Sequence, residues 1–172
     1  MMDDQAVWVQ GVSSVREWHA ALPADRRQEC DGLIDIVMEL KQQLVDTVAA
    51  AGSGLICSRC GGECCRYGRY HVTALDVAAY IRCGITPVKP NFSSHSACPY
   101  SDASGCLMPP GLRPVTCVIF NCELIHERLT QDQDSRLHCL EQSLREAVST
   151  LCRLFGGFLS RPLLLGVQNS TT

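Results

Sequence analysis

The stretch "LIDIVMELKQQLVDTV", Leu33–Val48, decides the fold that the sequence predicts. Its apolar residues recur at the three- and four-residue spacing of one helical face. These residues are Leu33, Val37, Leu40, Leu44 and Val48, and the opposite stripe is Asp35, Glu39, Gln42 and Asp46. The pattern predicts a long amphipathic helix over residues 25–51, which "GSG" at Gly52–Gly54 ends because glycine weakens helix continuation.

A second stretch with the same period lies towards the other end of the chain. Its apolar residues are Leu137, Leu140, Leu144, Val148, Leu151, Phe155 and Phe158. Two long amphipathic helices favour an antiparallel pair whose apolar stripes bury each other. We therefore expect a mainly α fold, in which long antiparallel amphipathic helices flank a loop-rich cysteine and metal-binding insert with one short helix.

The length and composition favour one domain, since 172 residues of which 46% are hydrophobic can bury a single core. Within the domain 1–172 we expect four segments. They are N-terminal helices over 1–54, a cysteine-cluster region over 55–122, a helical region over 123–166 and a tail over 167–172. The sequence just before the tail should pack through its leucines, and the tail itself should fray.

Two capping-box patterns predict where shorter helices begin. "SVRE" at Ser14–Glu17 predicts a short helix that ends near Pro23. "TALD" at Thr73–Asp76 predicts the short helix of the insert, which "GITP" at Gly84–Pro87 ends.

The net charge and the number of cysteines reduce the number of functional classes that the sequence fits. The net charge of −3 and the pI near 5.9 offer no basic surface for nucleic acid. The acidic start "MMDDQAVWVQ" and the lack of an apolar run of about eighteen residues predict neither an export signal nor a membrane span. We therefore expect a cytoplasmic protein, where a reducing environment keeps most thiols unpaired. Twelve cysteines then favour metal binding.

Eight cysteines of the insert have spacings typical of metal knuckles. They follow the pattern C-x2-C-x3-C-C and, beyond the short helix, C-x7-C-x10-C-x4-C. We predict these eight as metal ligands: Cys57, Cys60, Cys64, Cys65, Cys98, Cys106, Cys117 and Cys122. Four thiolates suit either zinc or an iron–sulfur cluster, so the spacing leaves both open. The remaining charge of about −2 would be offset by nearby guanidinium groups, for which the candidates are Arg59, Arg66, Arg69 and Arg113.

Other interpretations apply to single residues. The eight cysteines could form disulfides and buried thiols, and Cys65 could bridge or support ligands, because adjacent side chains seldom both reach one tetrahedral ion. Arg113 could pair with Asp102 or Asp76. Cysteines outside the motifs are predicted to be small buried apolar residues; these are Cys30, Cys83, Cys139 and Cys152. His71 and His126 are minor candidates to complete a metal shell.

The insert resembles a known family. The runs "CSRCGGECCRYGRYHVTALDVAAYI" and "CPYSDASGCLMPPGLRPVTC" are similar to the cysteine-cluster family of zinc- or iron-chelating domains, also called the YkgJ or CxxCxxCC family. The matching residues are Cys57, Cys60, Cys64, Cys65, Thr73, Asp76, Cys98, Pro99, Asp102, Gly105, Cys106, Arg113, Pro114 and Cys117. Three residues rather than two separate Cys60 from Cys64, and Cys106 follows Gly105 directly. The resemblance implies metal chelation, and relatives such as flagellin lysine N-methylases imply an iron–sulfur cluster joined to protein modification.

Three functional hypotheses follow from these observations. The first is a metal-binding protein with a structural or electron-transfer role, holding an iron–sulfur cluster of the 4Fe-4S kind or Zn²⁺, with Arg113 beside the cofactor. The second is a methylase-like enzyme that modifies proteins, although no catalytic residue can be assigned. The third is an interaction module, a homodimer or a complex with a protein partner formed through the long helices and clamped by zinc. Nucleotide, zinc-protease and serine-hydrolase motifs do not occur in the sequence.

Overall fold

The computed structural model describes residues 3–60, 63–93 and 98–166, with only the backbone of 58, 60, 63 and 166. Helices dominate the described residues, which confirms the predicted mainly α class. The helices are α1 (Asp4–Ala21), α2 (Ala24–Ala50), α3 (Ser53–Cys60), α4 (Ala74–Arg82), α5 (Val115–Ile119), α6 (Glu123–His126), α7 (Gln131–Phe155) and α8 (Leu163–Gly166). Short 3₁₀ helices span Glu63–Tyr70, Pro110–Leu112 and Gly157–Ser160, and a hairpin joins β1 (Ser101–Asp102) to β2 (Gly105–Cys106).

The two long helices form the predicted antiparallel pair. Arg26, near the start of α2, donates from Nη2 to the carbonyl oxygen of Leu154 at 2.9 Å, near the end of α7. Its guanidinium also lies 4.4 Å from the centre of the Phe155 ring. Leu144 and Leu151 of α7 are fully buried in the resulting core.

The buried face of α2 is wider than the sequence pattern predicted, and it is rotated. Leu33 and Leu40 are only partly buried, while the residues beside them in the sequence, Ile34 and Lys41, are fully buried. The reason is that α2 packs against α7 on one side and against α4 and the Pro110–Leu112 turn on another. The buried residues of α2 are Cys30, Ile34, Val37, Lys41, Leu44, Thr47 and Val48.

A buried ion pair joins α2 to α4. Lys41 Nζ donates to Asp76 Oδ1 at 2.6 Å, and the two side chains are 0% and 1% exposed. The other oxygen of Asp76 accepts from the backbone N–H and the hydroxyl of Thr73, each at 2.8 Å. This is the capping box that "TALD" predicted, and it begins α4 as expected.

Three local predictions need correction or extension. Helix α1 begins at Asp4, where Asp3 accepts from the N–H of Ala6 at 2.7 Å, so the predicted helix start at Ser14 is wrong. Asp3 provides the earlier N-cap, and Ser14 therefore lies within the helix. The chain does turn at Gly52, whose φ is +85°, but α3 follows at once. The insert therefore contains more short helices than the one we expected.

The end of the described chain packs as predicted. Leu163 and Leu164 are buried, and Leu163 fits against Gly11 of α1, where a Cβ atom would lie 2.6 Å from Leu163 Cγ. The predicted fraying concerns residues 167–172, which lie outside the described residues.

Within the described ranges, none of the helices combines the length and the apolar character that crossing a membrane requires.

Replacing Lys41 by methionine should destabilise the protein by about 3–5 kcal/mol, because the Asp76 carboxylate is left buried without its counter-ion. Urea unfolding followed by circular dichroism measures the change. The control is Arg82→Met, which removes a pair with Asp35 whose side chains are 40% and 46% exposed. This variant should unfold close to the wild type. Equal effects of the two substitutions would contradict the importance of the buried pair.

Candidate metal centre

Four cysteines from separate segments of the insert interact with one another electrostatically. Cys65 lies on the 3₁₀ helix Glu63–Tyr70, Cys106 on β2 and Cys117 on α5, and Cys98 precedes the hairpin. All four are free thiols. We call them the thiol quartet.

The thiols of the quartet affect one another through their charges. Burial is the main reason that the pKa values of Cys65, Cys98 and Cys117 are raised, to about 12 for Cys65. Negative charge on another quartet member raises these pKa values further, and this effect connects every pair among the four. Without a metal, the sulfurs of Cys65, Cys98 and Cys117 are therefore protonated at neutral pH.

The hairpin brings Cys106 close to Cys98. Ser101 pairs with Cys106 across the two strands, and the N–H of Ser101 donates to the carbonyl of Cys98 at 3.2 Å. The turn is held by Asp102, whose Oδ1 accepts from the N–H of Ser104 at 2.7 Å. Gly105 follows with a φ of +113°, a conformation that side chains oppose. The "D-x-x-G-C" sequence thus positions Cys106 through its turn chemistry.

Close backbone approach brings the 3₁₀ helix of Cys65 against Cys98. A Cβ atom at Gly68 would lie 2.6 Å from Cys98 Sγ, so only glycine fits at this position. Beyond this helix, His71 places Nδ1 3.3 Å from Cys117 Sγ. Burial lowers the pKa of His71, and the charge on Asp76 partly opposes that effect. A neutral imidazole therefore lies next to the quartet, where it can donate to a thiolate or bind a metal.

The quartet is partly accessible to solvent. Cys98 is 8% exposed, whereas Cys65, Cys106 and Cys117 belong to the exposed class. Burial nevertheless dominates the raised pKa values of Cys65 and Cys117. Both observations fit thiols that are surrounded by protein and still reachable from solvent.

The other four predicted ligands are placed differently. Cys64 is partly buried and hydrogen-bonds with Cys65, which contributes to the raised pKa of Cys65. Cys57 lies on α3, and Cys122 occupies the N-cap position of α6. Because α3 packs against α6, these two cysteines belong to a neighbouring part of the insert. The Cys60 side chain lies outside the described residues.

Arg113 does not form the carboxylate pair that the sequence suggested. Its Nε donates to the carbonyl oxygen of Met108 at 3.2 Å. The two candidate carboxylates have other partners, because Asp102 accepts from Ser104 and Asp76 accepts from Lys41. The Arg113 guanidinium lies near Tyr80, whose pKa it lowers against the larger effect of burial.

Arg69 and His126 also have partners away from the quartet. Arg69 Nε donates to Asp4 Oδ2 at 2.6 Å, which ties the 3₁₀ helix to α1. His126 pairs with Asp134, with Nδ1 and Oδ1 3.6 Å apart.

Of the cysteines predicted to be buried apolar residues, Cys30 is buried and Cys152 partly buried, whereas Cys83 and Cys139 are exposed. The burial prediction was therefore wrong for the last two.

The cysteines that the structure describes have the donor chemistry of a metal site but not its spacing. Within the described ranges, no three or more His, Cys, Asp or Glu side chains are grouped closely enough to hold a metal ion. The chemistry of the quartet nevertheless fits such a group, because soft thiolates are the ligands that zinc and iron–sulfur clusters use. The quartet would hold the group after its thiols lose their protons and move closer together.

The sequence analysis missed two tyrosines beside the quartet. Tyr80 and Tyr100 are 3% and 2% exposed, and neither hydroxyl has a hydrogen-bond partner among the described residues. Burial raises both pKa values, and charge on Cys106 acts on Tyr80 while charge on Cys98 and Cys117 acts on Tyr100. Two features of the sequence could have indicated these tyrosines. Tyr100 follows Cys98 by two residues, and Tyr80 lies one helical turn after Asp76.

Two surface hollows lie elsewhere. One, of about 720 Å³, follows the outer face of α7 and includes His138, Glu141 and Arg145. The other, of about 590 Å³, lies between the start of α1 and residues 89–93. Neither hollow is lined by a cysteine.

Comparison of the chain with family models, curated proteins and solved structures gives no match. The resemblance to the cysteine-cluster family therefore stays a prediction that rests on the motifs.

The raised pKa values predict slow alkylation of Cys65, Cys98 and Cys117 in the reduced, metal-free protein. At pH 8, iodoacetamide should modify Cys65 at least about ten-fold more slowly than the exposed Cys139, because only the thiolate reacts. The Cys65 rate should then increase as the pH approaches its pKa of about 12. Peptide mass spectrometry measures both rates in one sample. Alkylation of Cys65 as fast as that of Cys139 at pH 8 would contradict the raised pKa.

Proposed function

We propose that this chain is a metal-binding protein whose thiol quartet holds an iron–sulfur cluster or Zn²⁺, with a structural or electron-transfer role. The observation that supports the proposal is the electrostatic interaction among four free cysteines that come from different segments of the insert. Cys64 and His71 lie directly beside them and could complete or support the set of ligands. A reducing compartment such as the cytoplasm would keep these thiols available.

Metal binding would offset the loss of conformational entropy when the insert becomes ordered. Cys65 and Cys98 are separated by 32 residues and Cys98 and Cys117 by 18, so a shared metal closes long loops. Because the metal-free thiols are protonated, binding also releases protons and becomes tighter as the pH rises. A bound metal would therefore stabilise the folded state of the insert.

The surroundings suit the charge of such a group. Four thiolates around a doubly charged zinc ion or cluster leave about −2 in total. His71 can donate from its ring to Cys117, and the guanidinium of Arg113, which donates to the carbonyl of Met108, lies near Tyr80. These groups lower the cost of the remaining charge.

A group bound by four protein thiolates would have no open position for a substrate, which favours a structural or electron-transfer role. Because Cys65, Cys106 and Cys117 are exposed, a cluster would lie near solvent, where a redox partner could approach. When bound, a cluster would supply a one-electron redox centre. The chain's own contribution is to position the sulfurs and to exclude water from the buried Cys98 side.

The two other hypotheses gain no specific support. A methylase-like enzyme needs a cofactor pocket beside the cysteines, and neither hollow described above is lined by one. A dimer through the long helices needs free apolar faces, and α2 and α7 bury theirs against each other.

The direct experiment is purification without oxygen, followed by an absorption spectrum and by metal and sulfide analysis. An iron–sulfur cluster predicts absorption at about 400 nm with matching iron and sulfide. Zinc predicts a colourless protein with stoichiometric zinc. Protein that contains neither metal after purification, and that takes up neither on reconstitution, would contradict the proposal.

Cys117→Ser should lose most of the bound metal, because it removes one thiolate of the quartet. Cys139→Ser is the matched control, since this cysteine is exposed on α7 and should not affect metal content. Metal-to-protein ratios after gel filtration give the comparison. Full metal content in Cys117→Ser would exclude Cys117 as a ligand.

A further inference from the structure

The last described residues, 162–166, pack back onto the first helix, and we call them the latch. They contain α8, which lies against α1 and beside the 3₁₀ helix Glu63–Tyr70. Leu163 and Leu164 are 7% and 6% exposed, whereas Leu165 is 51% exposed. The latch is therefore attached through two leucine side chains, and its outer side faces solvent.

The seat of Leu163 on α1 depends on a glycine. A Cβ atom at residue 11 would lie 2.6 Å from Leu163 Cγ, and both methyl carbons of the leucine would lie within 3.0 Å of it. The leucine thus fills a space that any side chain at Gly11 would occupy. Glycine inside a helix lowers its stability, so α1 loses helix propensity where it receives the latch. We call this space at Gly11 the notch.

The latch is also joined to the cysteine insert through the backbone. The N–H of Leu163 donates to the carbonyl oxygen of Val72 at 2.8 Å, and Pro162 forms an isolated antiparallel bridge with Thr73. Thr73 is the N-cap residue of α4. The latch therefore holds the segment between the 3₁₀ helix of Cys65 and α4 against α1.

The chain just before the latch has an anchor of its own. Leu159 is 0% exposed, and the Phe158 ring packs edge-on against Trp18 with ring centres 5.2 Å apart. The exposed residues Ser160 and Arg161 connect this anchor to the latch. Because the latch is short, the entropy of ordering it largely offsets the burial of its two leucines. The latch can therefore leave α1 while the anchor and the α2–α7 pair stay in place.

We propose that the latch is a conformational device that closes the cysteine insert against α1 and opens as a local unit. Opening removes the contacts of the latch with the 3₁₀ helix Glu63–Tyr70 and with residues 72–73, and it uncovers the notch. The α2–α7 pair stays folded throughout. The latch thereby controls how accessible this edge of the insert is, whether or not a metal is bound.

Two substitutions release the latch from opposite sides of the same contact. Gly11→Ala fills the notch, and Leu163→Ala removes the side chain that occupies it. Hydrogen exchange of the full chain, followed by peptide mass spectrometry, reports the opening of each segment. In both variants the amides of residues 63–73 should exchange at least about ten-fold faster than in the wild type. The amides of α7 should keep their wild-type rates.

Each substitution has a matched control. Gly32→Ala makes the same change inside α2, where a Cβ atom would meet nothing within 4 Å. Leu165→Ala makes the same change on α8 at a leucine that is half exposed. Both controls should leave the exchange of residues 63–73 at the wild-type rate. Alanine favours helix over glycine, so faster exchange in Gly11→Ala cannot come from a lower helix propensity of α1.

Two results would overturn the proposal. Exchange that increases equally in residues 63–73 and in α7 would show that the latch is part of one cooperative core, and a variant that unfolds completely gives this same result. Wild-type exchange of residues 63–73 in both Gly11→Ala and Leu163→Ala would show that the insert is held in place without the latch.

Discussion

The buried ion pair between Lys41 and Asp76 fixes α4 against α2, and the candidate site depends on where α4 lies. Asp76 also caps the start of α4 through Thr73, so one carboxylate connects the long helix pair to the insert. Its charge raises the pKa values of Cys117, Tyr80 and Tyr100. Together with burial, which is the larger cause, this negative group favours the protonated form of Cys117.

The quartet is assembled by turns and close packing instead of by one long element. The hairpin turn at Gly105 places Cys106 next to Cys98, and Gly68 lets the 3₁₀ helix approach Cys98. Each step uses a glycine where a side chain would be strained or would collide. A metal shared by these segments would stabilise their arrangement further.

Much of the fold could be predicted from the sequence, because helical periodicity and capping are local signals. The α2–α7 pair and the capping box of α4 were predicted in this way. The burial of Lys41 was not, although a lysine at the spacing of Val37, Leu44 and Val48 is a visible signal, because burying it requires a distant partner. The motifs predicted that the cysteines of the insert act together. Which of these cysteines interact depends on three-dimensional packing, which the spacing in the sequence does not give. The same holds for the unpartnered hydroxyls of Tyr80 and Tyr100.

X-ray absorption at the metal edge of the protein purified without oxygen tests the central claim most directly, because it counts the atoms bound to the metal. Our account predicts a shell dominated by sulfur at about 2.3 Å. It also predicts that the sulfur contribution decreases, or that the metal is lost, in Cys117→Ser but not in Cys139→Ser. A shell of nitrogen and oxygen alone, or the same sulfur shell in Cys117→Ser, would contradict a metal centre built on the thiol quartet.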